Sequence, residues 1–110
     1  MTEFDPDKIF AEVFKAGEAW SDTKAAYETL DRNTKSVLAD LTRDFMDGAS
    51  LPRVEAEMRA QSSGDYKAHL ASVSAAHKAY LRAQVYYDSV KMLADLRRSE
   101  ESTRRQEMKL

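Results

Sequence analysis

Residues 5–48 read DPDKIFAEVFKAGEAWSDTKAAYETLDRNTKSVLADLTRDFMDG, and the spacing of apolar and small side chains along this stretch decides the fold. Ile9, Val13, Ala16, Trp20, Thr23, Tyr27, Leu30, Thr34, Val37 and Leu41 follow one another at alternating steps of four and three. Side chains so spaced stay on one side of an α-helix, whereas a strand would scatter them over both faces. The start of the helix is well marked. Asp5 suits the N-cap, Pro6 the first helical position and Asp7 the positive end of the helix dipole, while Phe4 and Ile9 are placed to close a hydrophobic staple. Phe45 shifts the stripe and Gly48 supplies a stop, so the pattern predicts a helix over residues 6–47. About 42 residues at about 1.5 Å each make a rod of roughly 60 Å, too long for the helix of a compact globule. Its weak points are Ser21-Asp22 and Asp31-Arg32-Asn33, where poor helix formers favour a kink or a break.

Working outward, residues 48–64 form a connection that carries a short helix with Leu51, Val54 and Met58, ended by Ser62-Ser63-Gly64. A second long helix follows over residues 65–98, with a charged extension to residue 110. Two long helices of matched length on a short link make an antiparallel helical hairpin, because the chain has room only to turn back. A bend centred on the connection pairs residue i with about 112 − i, which sets Tyr27 near Ala83 and Trp20 near Ala94.

The second helix has two apolar faces. Val73, Ala76, Tyr80, Ala83, Tyr87, Val90 and Ala94 form one, and Leu81, Val85, Met92 and Leu96 the other, with a polar strip of His77, Gln84, Asp88, Lys91 and Asp95 between them. A hairpin has one internal seam, so the second face, together with Phe10 and Phe14 on the side of the first helix, is surplus. The expected fold is therefore all-α: a single helical domain, a long antiparallel hairpin with a short connecting helix, dimerising into a four-helix bundle through Phe10, Phe14, Leu81, Val85, Met92 and Leu96.

Composition agrees with long helices and narrows the chemistry. The chain has 110 residues, three glycines, two prolines and no cysteine, which leaves disulfides, thiolate metal sites and cysteine nucleophiles out of account. No apolar run reaches the roughly 20 residues of a membrane span, and the acidic first residues are unlike a signal peptide, so the cytoplasm is the expected compartment. Net charge is −2 overall, from −5 in residues 1–50 and +3 in residues 51–110, an asymmetry short of a polycation.

No motif points to catalysis. His69 and His77 stand two turns and about 80° apart, poorly set for one metal, and neither follows a glutamate at the Glu-x-x-His spacing of di-iron bundles. Ser21-Asp22-Thr23-Lys24 matches S-x-x-K, but no companion motif follows. The expectation is a protein without enzymatic activity, metal or cofactor. Tyr66, Tyr80, Tyr86 and Tyr87, near Lys78 and Arg82, could stack on bases, although Tyr80 and Tyr87 belong to the seam. Arg97, Arg98, Arg104, Arg105 and Lys109 are candidates for contact with phosphate or an acidic partner. They are interleaved with Glu100, Glu101 and Glu107, and basic residues also suit a helix C-terminus for the sake of its dipole.

The single Trp20-Ser21-Asp22 lacks the glycine and the bend position of the WXG helical hairpins. The stretch LADLRRSEESTRRQEM at residues 93–108, with RVEAEMRA at residues 53–60 and the tyrosine-rich helix between, resembles small uncharacterised helical proteins of phages and prophages. That resemblance implies a place among recombination or replication accessories and brings no catalytic residues. The surplus apolar faces lead to the first expectation, a homodimeric protein that docks another protein through its helix faces; the alternative, which the resemblance implies, is a nucleic-acid-handling accessory that uses the same arginines.

Overall fold

The computed structural model describes residues 5–109, and its elements are four α-helices: α1 (Pro6–Arg32), α2 (Thr34–Ala49), α3 (Arg53–Ser62) and α4 (Gly64–Lys109). The described residues contain no strand, and the fold is an all-α helical hairpin.

The start of α1 is capped as its sequence predicts: Asp5 Oδ1 accepts hydrogen bonds from the amides of Asp7 at 3.1 Å and Lys8 at 3.4 Å. Phe4, the other half of the expected staple, lies outside the described residues. Of the two weak points only one interrupts the helix. Asn33 alone separates α1 from α2, and it keeps a near-helical backbone (φ −79°, ψ −7°) with its amide donating to Thr29 O and its carbonyl accepting from Val37 N. Ser21-Asp22 stays helical within α1.

The end of α2 corrects the sequence reading. Gly48 remains in the helix, and the left-handed residue is Ser50 (φ 54°, ψ 39°). Pro52 then starts α3 from an extended backbone (φ −60°, ψ 154°), so the chain reverses within Ser50-Leu51-Pro52. The helix α3 packs on α2, with Ala56 and Ala60, one turn apart, wholly inaccessible and Thr42 nearly so. At the next junction Ser63 is the cap: its Oγ accepts from the Tyr66 amide at 3.2 Å and donates to Ala60 O. The helix α4 thus begins at Gly64 and includes the whole charged extension as far as Lys109.

The chain divides into two compact units, residues 1–23 with 80–110, and residues 24–79. In the first, Ala16 and Ala94 are buried and the Trp20 ring stacks on Tyr87. In the second, Tyr27 meets His77 with ring centroids 4.6 Å apart, and Thr34 Oγ1 shares a 3.0 Å hydrogen bond with His69 Nε2. Trp20 therefore meets Tyr87 where Ala94 was expected, and Tyr27 meets His77 in place of Ala83. The cause is the position of the reversal. It falls about five residues before the middle of the 48–64 connection, because α3 is the first part of the returning arm; each such residue moves the pairing by up to two.

The seam itself is as read. Every residue from Ile9 to Leu41 in the four-three series is buried or half-buried, as are Val73, Ala76, Tyr80, Ala83, Tyr87, Val90 and Ala94 on α4.

Candidate interaction surfaces

Small residues let the two arms of the first unit approach, and this creates the site. Gly17 lies against Tyr87 so closely that a Cβ on it would stand 3.0 Å from Tyr87 Cε2. Beside it the Trp20 and Tyr87 rings are parallel within 4°, centroids 5.6 Å apart, and the Lys91 ammonium lies 5.2 Å from the Tyr87 ring centre. A cation at that distance from a tyrosine ring is attracted by its quadrupole. Sequence reasoning missed this cluster, although a glycine inside a helical pattern is the kind of signal that marks a close approach.

Phe10 and Phe14, one turn apart on α1, stack on each other with centroids 6.3 Å apart. They stay 71% and 59% exposed and, with Val13, Gly17, Trp20 and Tyr87, wall an open apolar groove. On α4, Leu81, Val85, Met92 and Leu96 are also exposed, Val85 by 66% and Met92 by 72%. The six residues assigned from sequence to one interface therefore form two surfaces. Tyr87 borders the phenylalanine groove, whereas Tyr86, turned about 100° from it, borders a hollow with Ile9, Glu12, Ser89, Leu93 and Arg97. Tyr86 and Leu93 are exposed too, and they widen the α4 face toward that hollow.

The basic residues are partly engaged with one another's counter-charges. Glu101 receives Arg104 Nη1 at 3.8 Å and Arg105 Nε at 3.9 Å, surface pairs of small energetic weight that nonetheless occupy two of the five candidate cations. Arg97, Arg98 and Lys109 are exposed. In the second unit a groove between α2 and α3 mixes Lys35, Arg43 and Arg53 with Asp47 and Glu57 around Leu38, Thr42 and Met46. His69 is half-buried and shares its hydrogen bond with Thr34. His77, from the polar strip, packs its ring on Tyr27. Among the described residues no group of three or more His, Asp or Glu is set to hold a metal ion, and no helix is long and apolar enough to cross a membrane.

The geometry defines a class: an all-α helical hairpin whose inner seam is lined by half-buried aromatics and whose outer helix faces carry large apolar side chains. No protein-family model, curated protein or solved structure matches the chain.

Proposed function

We propose that this chain is a non-enzymatic interaction and assembly protein that acts as a homo-oligomer. The observation that carries the reading is the imbalance between core and surface. Among the described residues the buried apolar side chains are alanines, Ala16, Ala56, Ala60 and Ala94, while Phe10, Phe14, Val85, Met92 and Leu96 are each more than half exposed. Burying one such side chain is worth roughly 1.5–3 kcal/mol, so an assembly that covers several of them gains what the hairpin alone leaves unused. Exposed apolar helix faces of this kind mark docking sites on proteins.

Sedimentation equilibrium on the purified chain tests the reading, alone and with short single-stranded and double-stranded DNA at two salt concentrations. A dimer indifferent to DNA is the expected result. A monodisperse monomer at micromolar concentration overturns it. A complex with DNA that weakens steeply with salt favours instead the nucleic-acid accessory suggested by the phage-like stretch, acting through Arg97, Arg98, Arg104, Arg105 and Lys109.

A further inference from the structure

We infer that the occupant of the exposed α4 face is the same face of a second copy, laid antiparallel about a two-fold axis that passes beside Ser89. The inference rests on the assembly reading above and adds the surface, the partner and the orientation.

The face is unusually clean. Between residues 83 and 96 the charged side chains are Asp88, Lys91 and Asp95, and helix geometry at about 100° per residue turns all three to the opposite flank from Tyr86 and Leu93. Val85, Ser89, Met92 and Leu96 follow at steps of four, three and four, the spacing of a helix-to-helix seam. Ser89 is the polar member, and its hydroxyl donates to its own helix at Val85 O, 2.8 Å away. That hydroxyl can be covered by an apolar neighbour without losing its partner. A small residue at the centre of the face also lets two helices come close.

Charge chooses the direction. Arg82 and Glu100 stand at the two ends of the face on the same flank, eighteen residues apart and so five turns on. In a parallel pair Arg82 faces Arg82 and Glu100 faces Glu100. In the antiparallel pair residues on the same flank meet, so each copy's Val85 meets Met92 of the other, Tyr86 meets Leu93, and Arg82 of each copy lies within about one turn of Glu100 of the other, where a long side chain reaches it. Like charges on facing helices cost energy in the first case and are replaced by opposite charges in the second.

The chain has no cysteine, so single substitutions report the arrangement directly. Ser89→Cys and Ser99→Cys are treated with a short bismaleimide and run on a denaturing gel, alongside sedimentation of the unmodified chain; circular dichroism checks that each variant keeps its helices. The inference expects a dimer in which Ser89→Cys cross-links and Ser99→Cys does not, since the two Ser99 positions lie about 30 Å apart along the antiparallel pair. Cross-linking of both variants means a parallel pair, and of neither a different face; each overturns the inference and leaves the assembly reading standing. A monomer in sedimentation overturns both.

Discussion

The indole of Trp20 and the phenol of Tyr87 lie parallel within 4°, their centroids 5.6 Å apart, across the seam between α1 and α4 in the first unit. The pair does what larger cores do with buried leucines, at a place where alanines and a glycine bring the backbones together. Trp20→Ala is expected to lower stability by about 2–3 kcal/mol, below the roughly 3–5 of a fully buried aromatic because the ring is half-exposed. Tyr87→Ala and the double variant complete a cycle whose coupling should be about 0.5–1.5 kcal/mol, the range of stacked aromatic pairs. Denaturant titration of the four proteins gives the figure. Additive losses would mean that the rings share no energy beyond separate burial.

Gly17 makes a second test of the same contact. Glycine in a helix interior is about 1 kcal/mol worse than alanine, so a larger residue should stabilise the helix unless Tyr87 forbids it. Gly17→Val places its branches into the Tyr87 ring, and overpacking of this kind costs about 1–3 kcal/mol. Thermal melts should show a lower midpoint for Gly17→Val, while the same change at Gly48, whose added Cβ meets nothing within 4 Å, gives no such clash.

Ser50 holds a left-handed backbone at φ 54°, a conformation that costs residues other than glycine about 1–2 kcal/mol. Ser50→Gly removes that cost and adds back some chain entropy in the unfolded state, for a net gain of about 0.5–1 kcal/mol. Ser50→Val should lose stability. Equal melting of all three would mean that the reversal is not fixed by this residue.

Thr34 Oγ1 joins the α1–α2 junction to α4 through His69 Nε2 and also bonds Leu30 O at 3.3 Å. Thr34→Val keeps the shape and leaves the histidine nitrogen without this partner, a loss of about 1 kcal/mol for one hydrogen bond. His69→Leu in the Thr34→Val background should recover much of it, because an apolar pair leaves no polar atom behind.

The contrast between seam and register shows what a sequence of this kind makes legible. Ile9 to Leu41 and Val73 to Ala94 could be read because burial repeats with the helix turn, and a repeat is visible in any one chain. The pairing of Trp20 with Tyr87 could not, because it depends on where the chain turns. That place is set by the left-handed Ser50 and by two alanines, Ala56 and Ala60, that let α3 lie against α2. Gly48 looked like the better stop, yet the restriction that Pro52 places on Leu51 draws the reversal two residues later. The surplus apolar residues were legible singly. Their division into two surfaces needed the pairing, since it is Tyr87 on the seam that joins Phe10 and Phe14 and Tyr86 beside it that joins the other face.

That division makes the two surfaces separable by mutation. Val85→Asp puts a carboxylate within the α4 face, one turn from Ser89, where assembly would desolvate it without a partner at a cost of several kcal/mol. Leu81→Asp acts in the same sense at the edge of the face. Either should convert a micromolar dimer to monomer, since about 4 kcal/mol is a thousandfold in association. Phe14→Asp changes an equally apolar residue on the other flank, in the groove beside Tyr87, and should leave the dimer intact while exposing the groove's role in any further contact. Because the hairpin of each variant keeps its seam, circular dichroism should stay helical throughout, so a loss of the dimer reads as a loss of the interface. If Phe14→Asp dissociates the dimer and Val85→Asp does not, the copies meet through the phenylalanine groove, and the Ser89 axis is wrong.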